Sequence, residues 1–340
     1  MSFRPLAAAL VCAGLSSCAP AAYLAQAARG QAELLSAARP LEAALQNPAL
    51  PQDTRRKLTL AAQARTFATS LGLPDSSAFR TYADLGRPFV VWNVFSAPAL
   101  STQLQTSCFP IAGCVGYRGY FRQTDALANA EQRRALGEDV YVGGVKAYST
   151  LGHLPDPLTS AMLSYPDSVL IRTVLHELAH ASLYVAGDTT FNESYAVTVE
   201  NEGMRRYLAQ FGTPELREED AQLEARAAAF EALVLEAQRD LAQLYALPLP
   251  DTERLSRKAE RLTRLGESLS VLNANWRGYS PLKTDWNNAS LGAIAAYAEL
   301  VPDFEALLAR QGGDLNAFMR AARACTALEQ QARRTCLKGP

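Results

Sequence analysis

The chain carries three histidines, and two of them stand four residues apart in the run His-Glu-Leu-Ala-His at positions 176–180. No other feature restricts the fold as tightly. On an α-helix, residues four apart share a face, so His176 and His180 can turn both imidazoles toward one point, with Glu177 projecting beside them. This HExxH spacing supplies two ligands of a zinc site and a carboxylate placed to act on a water held there. A catalytic zinc takes a third protein ligand and keeps one position open. His153 is the only histidine left, and its setting, Leu-Gly-His-Leu-Pro-Asp, reads as a loop.

Of the 340 residues, 49% are apolar, and 33 basic side chains face 34 acidic ones. That balance predicts a globular protein and excludes nucleic acid as a partner, because binding phosphates takes a clustered excess of Lys and Arg. At roughly 150 residues per domain, the length predicts about two domains.

The N-terminus reads as an export signal. Arg4 precedes an apolar run from Pro5 to Leu15, too short for the roughly 20 residues of a membrane span but suited to a signal-peptide core. Leu15, Ser16 and Ser17 then lead into Cys18 in a run that resembles the bacterial lipobox. The expectation is a signal peptide over 1–17 and a lipid on Cys18, which tethers the protein to a membrane of the bacterial cell envelope, facing the periplasm. Cys12 leaves with the signal, so Cys108, Cys114, Cys325 and Cys336 remain. An oxidising compartment would close them as two local disulfides, 108 to 114 and 325 to 336, although four cysteines admit three pairings. Neither pair has the CxxC spacing of a structural zinc ribbon.

Apolar positions recur at helical steps through Tyr23, Leu24, Ala27 and Leu34, and again through Leu58, Leu60, Ala61 and Phe67, which predicts a helical pair over about 20–75. Phe89–Phe95, Val115–Phe121 and Val140–Val145, continuing to Tyr148, are β-branched and aromatic runs bounded by Gly and Pro, and read as strands. From Thr213 the pattern is helical, with long amphipathic segments at 214–245, 252–275, 290–311 and 315–337. The fold class expected is α+β and helix-rich: a small, mainly antiparallel sheet packed on the HExxH helix, with a C-terminal helical part. Residues 18–212 would form the catalytic domain and 213–340 the C-terminal helical domain.

Beyond the motif, Phe-Asn-Glu-Ser-Tyr-Ala at 191–196 resembles the second zinc segment of gluzincin metallopeptidases of the alanyl-aminopeptidase kind. The resemblance implies Glu193 as third ligand, with Asp188 and Glu200 where that segment carries acidic residues. Only twelve residues separate His180 from Glu193, fewer than gluzincins usually have, so a short connection between two helices is implied. Glu200 would restore a thermolysin-like interval and is the rival third ligand. More broadly, HELAHASLYVAGDTTFNESYA, with CFPIAGCVGYRGYF and DVYVGGVKAYSTLG upstream and WNNASLGAIAAY downstream, resembles the bacterial predicted-aminopeptidase family of zinc-dependent lipoproteins. That resemblance implies one Zn2+ ion, a peptide substrate and a gluzincin-type reaction.

The remaining candidates follow from these roles. Glu177 is the expected general base and acid. Tyr117, Arg118, Tyr148 and Tyr279 are candidate donors to the oxyanion of the transition state, and the Cys108–Cys114 loop just before Tyr117 would pin a wall of the cleft. Asp188, Asn192 and Glu200 are candidates to orient ligands from behind, Asn192 being equally an N-cap. Gly143 and Gly144 leave room on the 140–148 strand for an extended peptide to pair. Asn287 and Asn288 either bind substrate backbone or cap the following helix. The expected function is a zinc aminopeptidase on short peptides. The alternatives are an endopeptidase, and an envelope binding or assembly protein whose zinc site is structural or vestigial, with His153 as a fourth ligand where the site is closed.

Overall fold

The computed structural model describes residues 6–109, 113–151, 153–275 and 286–339. Proline marks several helix starts, because its fixed φ suits the entry to a helix and its missing N–H costs nothing there. Helix α1 spans Leu6–Ala37, and after the two-residue strand β1 (Arg39–Pro40) come α2 (Leu41–Gln46) behind Pro40 and α3 (Gln52–Ser70) behind Pro51. The strand-rich stretch holds β2 (Thr81–Ala83), β3 (Val91–Ala97), β4 (Ser107–Phe109), β5 (Gly113–Val115) and β6 (Tyr117–Tyr120), then α4 (Gln123–Ala135), β7 (Asp139–Val145) and β8 (Leu158–Thr159). A helical remainder follows: α5 (Asp167–Ser182), α6 (Thr189–Phe211), α7 (Pro214–Ala246), α8 (Asp251–Asn275), α9 (Asn288–Ala298), α10 (Val301–Arg310), α11 (Leu315–Cys325) and α12 (Gln330–Lys338). The class is α+β with helix in excess, as the composition of segments implied.

Among the described residues, three small sheets carry the β structure. The one that matters for the site has the order β6-β3-β7 and is antiparallel throughout, with Asn93 opposite Gly119 on one side and Gly143 on the other. Because side chains alternate along a strand, Val91 and Asn93 share a face with Tyr117, Gly119 and Val145. The opposite face, with Trp92, Val94, Tyr120 and Val140, buries itself against Ala126 and Ala130 of α4. The Cys108–Cys114 disulfide closes the β4–β5 hairpin, and Cys325–Cys336 joins α11 to α12.

The main core is helical. It draws Leu58 and Phe67 from α3, Leu170, Val174 and Leu175 from α5, Tyr195 and Val199 from α6, and also Phe304, Phe318 and Leu337 from the last three helices. The expected division at 212/213 is therefore not a boundary of packing: α10 to α12 fold back onto the helices that bear the motif. Helices α7 and α8 form a core of their own, around Val234, Leu241, Leu265 and Leu269, on which Leu291 of α9 rests. The two last amphipathic segments are each broken in two. Pro302 stands at the start of α10, where Leu300 N–H donates to Ser194 Oγ (3.2 Å) instead of to a helix carbonyl. The turn between α11 and α12 is the one the disulfide spans.

Candidate metal centre and its cleft

Helix α5 is amphipathic in an unusual sense. Leu170, Ile171, Val174, Leu175 and Leu178 are buried in the main core, and the neighbouring stripe of His176, Glu177 and His180 lines a cleft of about 260 Å³. Three charged or polar groups on one stripe cannot be pressed against an apolar sheet without a large desolvation cost. The sheet accordingly faces α5 across the cleft, contributing Val91, Asn93, Tyr117 and Gly119 to the far wall.

Residues 183–188 connect α5 to α6. Asp188 caps α6, accepting from Phe191 N–H (3.2 Å). Asn192 sits in the first turn, and its side chain takes both backbone groups of Val185: Val185 N–H donates to Oδ1 and Nδ2 donates to Val185 O, each at 2.8 Å. This clamp folds the connection tightly enough for a short interval to serve. Glu193, next in sequence, thereby reaches the two histidines. Asn192 is thus neither the cap nor a partner of the site residues, and Asp188 is turned away as well: it pairs with the buried Arg333 of α12 and lies 3.7 Å from Arg334.

Among the described residues, one group of side chains has the composition and convergence to hold a metal ion: His176, His180 and Glu193. Its three inner atoms form a nearly equilateral triangle, His176 Nε2 to His180 Nε2 at 3.2 Å, His176 Nε2 to Glu193 Oε2 at 3.3 Å, and His180 Nε2 to Glu193 Oε2 at 3.5 Å. A tetrahedral ion with bonds of about 2.0–2.2 Å needs ligand atoms about 3.3–3.6 Å apart, so the donor set fits zinc in type and in spacing. The electrostatics agree. Burial opposes charge on His176, yet its hydrogen bonds with Glu193 and Glu200 hold its pKa well above the ordinary value. Burial would raise Glu193, but the charge of His180 and the hydrogen bond with His176 hold it down at about 2. The cluster attracts positive charge.

Glu200 is not in that triangle. It lies behind His176, with Oε2 3.1 Å from Nδ1, so a neutral His176 that donates there keeps the lone pair of Nε2 facing the triangle. Arg172 stands 3.5 Å from the other Glu200 oxygen and is itself gripped by Asp220 of α7 through two bonds of 2.6 and 3.0 Å. His180 has no such support: its Nδ1 is buried without a protein partner among the described residues. His153 lines a separate recess behind His180 and does not join the group.

Burial pushes the Glu177 carboxyl up, against the pull of His176 and His180, which makes it a stronger base than an exposed glutamate. Of the tyrosines named from sequence, Tyr117 and Tyr148 line the cleft. Burial raises both, Tyr148 to about 12, so each is a hydrogen-bond donor at neutral pH. Tyr279 lies outside the described residues, as does the side chain of Cys18. Arg118 is corrected: one position from Tyr117 on the strand, it points to the opposite face, donates to Ser107 Oγ (2.9 Å) and lies over the Tyr23 ring.

Tyr297 was not foreseen. Its ring stacks on His176 at 6.2 Å with an interplanar angle of 25°, and it keeps 41% of its surface accessible in the cleft. Its phenol is raised well above the ordinary value, first by the charge of Glu193 and then by burial. The only sequence signal was its place at the end of WNNASLGAIAAY, in a chain with 13 tyrosines.

Asn287 and Asn288 explain how Tyr297 is held, and neither faces the cleft. Asn287 caps α9 in a reciprocal box with Ser290 and donates to Val140 O (3.0 Å). Asn288 is wholly buried and donates to Pro98 O (3.1 Å) and Ala99 O (3.0 Å), while Tyr245 donates to its Oδ1 (2.9 Å). The glycine pair is corrected in part. Gly143 shares the face of Asn93, but Gly144 is on the other face, where a Cβ would fall 2.4 Å from Phe89. Its missing side chain serves packing. The disulfide hairpin does wall the cleft, through Phe109 and Val115, with Gly113 against the backbone of Gly187.

No curated protein and no solved structure matches the chain. A protein-family model described as "Putative aminopeptidase" matches residues 22–337, a span that takes in the sheet, both helices of the triangle and α9. The chain belongs to this aminopeptidase family, and its membership supports a function of the peptidase type.

Proposed function

We propose that this protein is a zinc-dependent peptidase, most simply an aminopeptidase on short peptides. The observation that carries the reading is the triangle of His176, His180 and Glu193 set in a cleft wall beside Glu177 and Tyr297. Two neutral imidazoles and one carboxylate are the ligands of peptidase zinc sites, and the absence of a fourth protein donor in the group, among the described residues, leaves a position for substrate. That favours catalysis over a closed structural site. A bound Zn2+ would supply Lewis acidity, polarising a carbonyl and lowering the pKa of water toward neutrality.

The chain's own groups divide the remaining work. Glu177 accepts the proton of the attacking water and returns it to the leaving amine, a role its buried, raised carboxyl suits. Tyr297, protonated at neutral pH, donates a hydrogen bond to the oxygen on which negative charge develops. Glu200 and Arg172 keep His176 in the orientation and tautomer the triangle needs. The aromatic walls exclude water and accept apolar side chains of the substrate. A volume of about 260 Å³ lies just under the roughly 300–1,000 Å³ of pockets that take drug-sized ligands, which suits a short peptide.

The lipobox-like run ending at Cys18 and the two disulfides support a place in the bacterial cell envelope, tethered by lipid and facing the periplasm. Metal analysis joined to cleavage of free and N-acetylated peptides tests the reading. The expected result is one zinc per chain, cleavage of free peptides that chelators suppress, and loss of cleavage with full zinc content in Glu177→Gln. Cleavage of acetylated peptides at an equal rate would replace the aminopeptidase by an endopeptidase. A zinc-loaded protein that cleaves neither would favour the binding or assembly role.

A further inference from the structure

The β6 strand is an edge of its sheet, and its Tyr117 and Gly119 line the cleft. An exposed edge beside a peptide-cleaving centre is where an extended chain would add as a further strand, through backbone hydrogen bonds. At Gly119 and Phe121 this edge is already taken. Gly119 N–H donates to Tyr23 Oη (3.3 Å), Gln26 Nε2 donates to Gly119 O (3.2 Å), and Phe121 N–H donates to Gln26 Oε1 (3.3 Å). A carboxamide offers the same donor and acceptor as a peptide unit, so the Gln26 side chain stands in for the backbone of a neighbouring strand.

The helix that carries these side chains is firmly seated. Tyr23 stacks on Phe109 (5.1 Å, 26°) and meets Tyr120 edge-on (5.5 Å). Farther along, Gly30 lies so close to Phe121 that a Cβ would fall 2.1 Å from the ring, and Leu34 is buried with Phe121 and Val91. Tyr23 and Ala27 line the cleft directly. Helix α1 is therefore a fixed side wall of the cleft, laid along the strand edge that a longer peptide would use.

We propose that Tyr23 and Gln26 set the length of peptide this centre accepts, by holding the β6 edge closed to any chain that extends past the cleft. The proposal rests on the peptidase reading above and adds to it the feature that selects short substrates. Exclusion is steric and backbone-directed, so it acts on peptides of any sequence.

The test is equilibrium binding, by calorimetry, of the dipeptide Leu-Ala and an octapeptide beginning with the same two residues to zinc-loaded, full-length Glu177→Gln protein. It is repeated with Tyr23→Phe and Gln26→Ala added together. Tyr23→Phe alone serves as a second variant, because it removes the hydroxyl and keeps the ring packing. The expected result is that the double change tightens octapeptide binding about tenfold relative to the dipeptide, with Tyr23→Phe shifting the ratio in the same direction. An unchanged ratio of the two affinities would overturn the proposal while leaving the peptidase reading intact. Absence of binding by both peptides to every form would overturn that reading, and the proposal with it.

Discussion

Replacing Glu200 probes whether it supports His176 or competes to be a ligand. Glu200 Oε2 lies 3.1 Å from His176 Nδ1, and a hydrogen bond to a charged group contributes about 1.5–3 kcal/mol. At about 1.4 kcal/mol per factor of ten, Glu200→Ala should weaken zinc binding roughly 10- to 150-fold. Arg172 limits the damage, because its two bonds to Asp220 keep its charge compensated after Glu200 is gone. Glu200→Gln, which retains an acceptor without the charge, should fall between wild type and alanine. Competition against a chromogenic chelator measures the affinities directly, and turnover per bound zinc should stay within severalfold of wild type. Glu193→Ala, by contrast, should abolish stoichiometric binding. An unchanged affinity in Glu200→Ala would refute the supporting role, and a loss as complete as that of Glu193→Ala would make Glu200 a ligand.

Three further outcomes are expected. Tyr297→Phe should lower kcat about 10²- to 10³-fold at unchanged zinc content, as loss of an oxyanion donor does, while Tyr117→Phe changes it less than about tenfold; the reverse order would transfer the role to Tyr117. Serines at both Cys325 and Cys336, which are 11 positions apart, should lower the unfolding free energy in urea by about 3 kcal/mol from loop entropy, and equal midpoints would contradict this. The Asp167 carboxyl is pushed up by burial but pulled below its ordinary range by Arg56 and Lys57, so its contribution is complete above the unfolded pKa of about 3.9 and is lost as pH falls through the folded value. Asp167→Asn should therefore cost up to about 1 kcal/mol at pH 7, and the gap from wild type should close below about pH 4.

What could be read from the sequence was what local spacing encodes. His176 and His180 at a helical interval, the apolar periodicity of α5 and the β-branched runs of β3 and β7 each depend on neighbours within a few residues. Glu193 needed more, since its reach depends on Asn192 clamping Val185, which no spacing rule contains. Tyr117 and Arg118 could be seen to point in opposite directions, but not which one meets the cleft. Both faces of the sheet are covered, one by α4 and one by the cleft, so alternation alone gives no sign. Tyr297 lies more than a hundred positions from the motif and arrives only because Asn287 and Asn288 bolt α9 to the sheet. Such long-range placement by buried amides has no local signature.

The buried pair of Asp188 and Arg333 ties the start of α6 to a helix near residue 338. A polypeptide made from its N-terminus presents the HELAH segment well ahead of Arg333. During that interval the first turn of α6 is without its late partner and is held only by the local cap of Asp188 and the clamp of Asn192 on Val185. A copy whose last helix has not yet folded in therefore lacks one of the two holds on the turn from which Glu193 projects.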